Sequence, residues 1–107
     1  MGRHVVFVVC LAAAASTSTA FAAGTAAKGK EVFEQCSVCH NADSDEQKIG
    51  PGLKGLFKKG KLTSNGKPAN EANIRAKIDE GGNGMPAYKD ILSDQEKEDL
   101  IAYLKTL

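Results

Sequence analysis

Cys36-Ser37-Val38-Cys39-His40 limits this chain more than any other feature of its 107 residues. At the end of a helix, positions 36, 39 and 40 stand at i, i+3 and i+4, so two thiols and an imidazole face one way. A CxxCH run of this kind is the attachment signature of c-type haem. The thiols add to the two haem vinyl groups as thioethers, and the adjoining imidazole reaches the iron. The competing chemistries fail on supply. A structural zinc site takes four ligands, and beyond residue 22 the chain has only these two Cys and one His. A thioredoxin-like pair belongs in a βαβ setting, and the sequence carries no sign of one. A plain disulfide fits the spacing but leaves His40 without a role.

Residues 1–22 are set aside because they read as a targeting segment. Arg3 and His4 precede an apolar run from Val5 to Ala15, followed by Ser16-Thr17-Ser18-Thr19 and Ala20-Phe21-Ala22. That charged, apolar, Ala-x-Ala order is a secretory signal peptide, with cleavage predicted after Ala22 and delivery to the periplasm. The apolar run falls well short of the ~20 residues that span a bilayer, which argues against a retained anchor. Removing 22 residues from 107 leaves 85, and residues 23–107 form one domain. Arg3 leaves with the segment, so 14 basic residues against 13 acidic become 13 against 13. A neutral chain offers no basic footprint for nucleic acid. Met1, His4 and Cys10 leave as well, so Met85 and His40 become the single Met and His of the mature chain. So short a domain, with Phe33, Phe57, Tyr88 and Tyr103 as its aromatics, buries little apolar surface and needs a staple such as a covalent cofactor.

The hydrophobic pattern is all-α with long loops. Residues 23–27 read as a frayed leader into a helix from Lys28 to about Gln35, with Val32, Phe33 and Cys36 on neighbouring faces. Gly29 inside it costs about 1 kcal/mol against Ala, which fits either a close helix contact or a tolerated glycine near a helix start. Ile49-Gly50-Pro51-Gly52-Leu53 reads as a turn, Leu53, Leu56 and Phe57 as one short apolar turn, and residues 58–69 as loop. Asn70 caps a helix running to about Glu80, with Gly81 at its end. Ser93-Asp94-Gln95-Glu96 is a capping box for the last helix, whose apolar stripe is Leu100, Ile101, Tyr103, Leu104 and Leu107.

Gly81-Gly82-Asn83-Gly84-Met85-Pro86 suits neither helix nor strand and reads as an extended loop with one large apolar side chain. A Met meant for core packing lies more often on a helix stripe. Here three glycines let backbone approach a flat haem face, and Pro86 stiffens the exit. Met85 is therefore expected as the second axial ligand of the iron, with His40 as the first. A Met that merely covers the haem edge, or a ligand drawn from the lysines, are the competing readings.

With these motifs in place, the chain resembles the small monohaem class I cytochromes c of the bacterial periplasm over nearly all of residues 28–107. The resemblance rests on Gly29 and Phe33 before Cys36-Ser37-Val38-Cys39-His40, then Gly50-Pro51-Gly52-Leu53-Lys54-Gly55-Leu56-Phe57. It continues through Gly84-Met85-Pro86-Ala87-Tyr88 to Leu100-Ile101-Ala102-Tyr103-Leu104. CxxCH alone fixes only haem attachment, but CxxCH followed by Gly-Pro and then Gly-Met-Pro is a specific combination. The resemblance implies a cytochrome c fold of three or four helices with long loops around one covalent haem c. It implies that the first and last helices cross at Gly29, near Phe33 and Tyr103. It also implies that the Pro51 carbonyl accepts a hydrogen bond from the outer imidazole nitrogen of His40, which fixes the ring and tunes the iron. The chain departs from the family between Phe57 and Asn70, where it is short and lacks Trp, a familiar partner of the haem propionates. Arg75, Asn65 and Tyr88 are the candidates to replace it. Lys58-Lys59-Gly60-Lys61 reads as a basic docking patch or as a solvated loop.

A Met/His iron in an apolar shell favours the ferrous state, and both ligands stay bound in each redox state. A closed coordination sphere also keeps oxygen and peroxide out. The expectation is a monomeric periplasmic electron carrier that moves single electrons between membrane-bound or periplasmic oxidoreductases through small, transient interfaces. Two alternatives stand beside it: a haem-based sensor or ligand-binding module, which needs a displaceable Met85, and an electron-transfer subunit of an oxidoreductase complex. With no spare His, no free Cys and no evident carboxylate pair, the chain does not read as an enzyme.

Overall fold

The computed structural model describes Gly2 and residues 23–107, so the expected leader and its cleavage point lie outside the described residues. Three α-helices follow in order: α1 (Ala26–Phe33), α2 (Glu71–Glu80) and α3 (Asp94–Leu104). A 3₁₀ turn, Leu56–Lys58, lies between α1 and α2. Among the described residues the only β pairings are isolated bridges, Lys61 with Pro68 and Gly82 with Met85. Among them, too, no helix is long and apolar enough to cross a membrane.

The first helix begins earlier than its sequence suggests. Ala26 and Ala27 are helical rather than frayed, although Thr25 makes no cap with its own side chain. The partner comes from α3: the Thr25 backbone N–H donates to the buried carboxylate of Asp99 at 2.8 Å. That bond satisfies a donor which a helix start leaves open. Regular helix ends at Phe33, but the chain keeps winding through hydrogen-bonded turns, Cys36 N–H to Phe33 O at 2.7 Å and Ser37 N–H to the same oxygen at 2.9 Å.

The other two helices start where their caps dictate. The Asn70 side chain accepts from Asn73 N–H at 2.9 Å, and Gly81 ends α2 at φ 63°, ψ −143°, a region that glycine alone enters freely. Ser93 and Glu96 close a complete capping box on α3.

α1 lies across α3 at Gly29. A Cβ at that position would run into the Asp99 carbonyl and stand 2.7 Å from Tyr103 Cβ, so only glycine lets the backbones meet. Phe33 packs on Tyr103 beside the crossing, ring centroids 5.3 Å apart at 55°, within the range of favourable tilted pairs. Charge fastens α2 to α3. Arg75 binds Glu98 and Asp94, Lys105 pairs with Glu71, and Lys97 meets Asp79 at 2.7 Å. The buried core gathers Phe33, Ile74, Ile78, Leu100, Ile101 and Leu104 from all three helices, with Leu62 and Leu92 from the loops. This small core is the wall on which the site is built.

Candidate haem site

The turns that continue α1 place the CxxCH residues. Cys39 N–H and His40 N–H both bond to Cys36 O, at 3.1 and 3.0 Å, which wraps the segment into one tight turn. The two thiols are free rather than joined, so the plain disulfide is not what this structure holds. The Cys36 thiol is pushed up to about 11, chiefly by burial and secondarily by Cys39. It is therefore a protonated thiol at neutral pH.

Residues 48–53 are strapped onto that turn. Gly50 N–H bonds to Cys39 O at 2.8 Å and Leu53 N–H to Asn41 O at 2.8 Å. The strap brings the Pro51 carbonyl to 2.8 Å from His40 Nδ1. A carbonyl only accepts, so Nδ1 carries the proton and Nε2 is left with a lone pair for a metal. Gly50 lies flat against the ring, and a Cβ there would stand 2.5 Å from His40 Cε1. Sequence reasoning read Gly50 only as part of a turn, whereas its missing side chain is what leaves room for the imidazole.

Met85 is presented by a tight turn rather than by an extended loop. Gly82 and Met85 exchange both backbone hydrogen bonds, at 2.9 and 3.1 Å, across Asn83 and Gly84. Both central residues have positive φ, 53° and 89°, the mark of a two-residue Asn-Gly hairpin turn. The turn is anchored on α2: Lys77 Nζ donates to Gly81 O at 3.0 Å, and Tyr88 N–H to Ile78 O at 2.9 Å.

Cys36, Cys39, His40, Pro51 and Met85 all line one cavity of about 410 Å³, floored by core side chains such as Ile74 and Leu100. The residues fit a covalent haem: two free thiols, an imidazole whose Nε2 is left unprotonated, a thioether and an apolar floor. Of the residues considered for the propionates, Tyr88 lines the cavity, while Arg75 and Asn65 do not. Arg75 is spent on its ion pairs with Asp94 and Glu98. Burial, then Cys36 and Cys39, raises the Tyr88 hydroxyl above its ordinary range, so it stays a neutral donor. Polar groups that sequence reasoning passed over, Lys77, Thr63 and Ser64, share the lining.

The basic run at residues 58–61 is not a uniform patch. Lys59 folds back to Asp45 at 2.7 Å, holding that carboxyl below its usual range, while Lys61 lines the cavity. Apolar side chains stand exposed nearby: Val38, between the two thiols, at 69%, and Ile49, on the cavity wall, at 73%.

The cytochrome c family model matches residues 26–107. The chain is 36% identical over 108 residues to cytochrome c2 of Blastochloris viridis, covering 86% of this chain and 84% of that one. It is 38% identical over 88 residues to cytochrome c6 of Synechocystis sp., covering 81% and 68%. Among solved structures it is similar to cytochrome c6 from the diatom Phaeodactylum tricornutum, with a TM-score of 0.61 and 26% identity over 78% of this chain and 93% of that one. The chain belongs to the cytochrome c family. Its fold is the all-α cytochrome c fold, its cofactor is haem c with its iron, and its function is electron transfer with oxidoreductases as partners. The sensor alternative gives way to this reading.

Proposed function

We propose that the protein is a periplasmic shuttle for single electrons, held ready by four side chains of one cavity. Cys36 and Cys39 would hold the haem through thioether bonds, and His40 and Met85 would ligate its iron. The bound haem supplies a reversible one-electron couple. Everything else is the work of the chain. The Pro51 carbonyl keeps the Nδ1 proton of His40 in place, which orients the ring and raises its basicity. The Gly82–Met85 turn holds Met85 in a fixed backbone frame, which would keep the thioether at the iron and leave small oxidants no open position. The apolar part of the lining, Ile74, Ile78, Leu100 and Leu104 among it, would favour the less charged, reduced form. The observation that carries this reading is the convergence of both thiols, a tautomer-locked His40 and Met85 on one cavity.

Cleavage after Ala22 delivers the mature domain to the periplasm in this reading. There it works as a monomeric carrier and not as an enzyme, meeting its partners where Val38 and Ile49 stand exposed beside the site. Replacing Met85 by Ala tests the assignment. The variant is expected to bind carbon monoxide when reduced and to show a lower reduction potential than the native protein. A Met85→Ala protein unchanged in both would refute the ligand set.

A further inference from the structure

Lys97 stands where a hydrophobic residue belongs. It shares the core-facing stripe of α3 with Leu100, Ile101 and Leu104, at i+3, i+4 and i+7, and is only 4% exposed. A buried ammonium is costly, and an apolar side chain of similar volume would join α2 to α3 at least as well. What an apolar group could not do is bond in chosen directions. Lys97 Nζ reaches the Asp79 carboxylate on α2 at 2.7 Å and donates to the Lys89 carbonyl at 3.1 Å. Lys89 lies four residues beyond Met85, and its own N–H returns to Asp79 O at 3.3 Å. The stretch from Gly81 to Lys89 is thus tied to lysines at both ends, Lys77 at the entry and Lys97 at the exit.

We infer that Lys97 is a positioning residue for Met85: a buried latch that fixes the exit of the Met85 turn and keeps the thioether on the iron. This rests on Met85 being the axial ligand. Without the latch, residues 86–89 lose their link to α3, and the turn opens locally while the helices stay folded.

The test uses the haem-loaded protein carrying Lys97→Met, with Lys97→Arg as the conservative replacement and Met85→Ala as the reference. The native reduced protein is expected to ignore carbon monoxide. Lys97→Met is expected to bind the gas, to show a lower reduction potential, and to exchange the Met85 and Tyr88 amide hydrogens about tenfold faster, the scale of one lost charge-assisted hydrogen bond. Lys97→Arg, which keeps a donor, is expected to stay close to native in all three. A folded Lys97→Met protein with native gas behaviour and potential, whatever its melting temperature, would overturn the latch and leave Lys97 as a helix fastener. If Lys97→Met does not load haem, Asp79→Asn removes the carboxylate that holds Lys97 Nζ beside the Lys89 carbonyl, and the same two readouts decide. Should Met85→Ala also ignore carbon monoxide, the ligand assignment and the latch fall together. Should it bind the gas while Lys97→Met and Asp79→Asn do not, the latch alone falls.

Discussion

At the scale of single residues, the site is governed by what each side chain leaves free. His40 is oriented because the Pro51 carbonyl accepts a hydrogen bond from its Nδ1–H and because Gly50 offers no side chain to its ring. Gly50→Ala is expected to push the imidazole off the Pro51 carbonyl. The variant should incorporate haem poorly, and its loaded fraction should show a shifted potential; a native potential at full loading would show that the ring tolerates the methyl group. The proposed ligands stand out in the sequence because residues 23–107 contain one Met and one His. The clearance at Gly50 does not, since nothing in a Gly-Pro-Gly turn says which ring it faces. Lys97 was hidden for a related reason. Next to Ser93-Asp94-Gln95-Glu96 it looks like one more polar residue of a first turn, and its acceptors at Asp79 and Lys89 are distant in sequence.

Among the secondary-structure elements, local signals and tertiary ones divide cleanly. α2 and α3 begin and end where their caps are written, at Asn70, Gly81 and Ser93, because those hydrogen bonds close within a few residues. α1 starts at Ala26 because Asp99, 74 residues away, accepts the Thr25 N–H. No sequence window around Thr25 holds that information. Replacing Asp99 by Ala should fray the start of α1 and destabilise the protein by about 1.5–3 kcal/mol, the range for a hydrogen bond to a charged group. A thermal melt follows the loss, and faster exchange of the amides of residues 25–28 locates it. The Met85 turn shows a different failure of legibility. Asn83-Gly84 is a strong hairpin signal, but without flanking strands it reads as an extended loop. The backbone pairing of Gly82 with Met85 becomes visible only when α2 supplies the anchor at Ile78.

For the whole molecule, the cavity sits where a larger protein would have core. Phe33, Ile74, Ile78, Leu100 and Leu104 pack together, yet all five also line the cavity. This arrangement predicts that folding and haem attachment are coupled, as in other small domains stapled by a bound group. A chain with both Cys36 and Cys39 changed to Ser is expected to lose cooperative thermal unfolding and much of its helical circular dichroism. A sharp native-like melt in that variant would show that the helices stand without the cofactor. The same architecture explains why one small domain suffices for electron transfer. The scaffold brings Cys36, Cys39, His40 and Met85 to one cavity and leaves Val38 and Ile49 exposed beside it, and the proposed function requires no moving part.

The central claim is that His40 and Met85 close the iron. It is tested most directly by the visible spectrum of the purified native protein, oxidised and then reduced, with and without carbon monoxide. The proposed ligand pair calls for a low-spin c-type haem spectrum in both redox states that the gas leaves unchanged at neutral pH. A reduced spectrum that shifts under carbon monoxide would mean an open or displaceable position, and would contradict Met85 as a standing ligand.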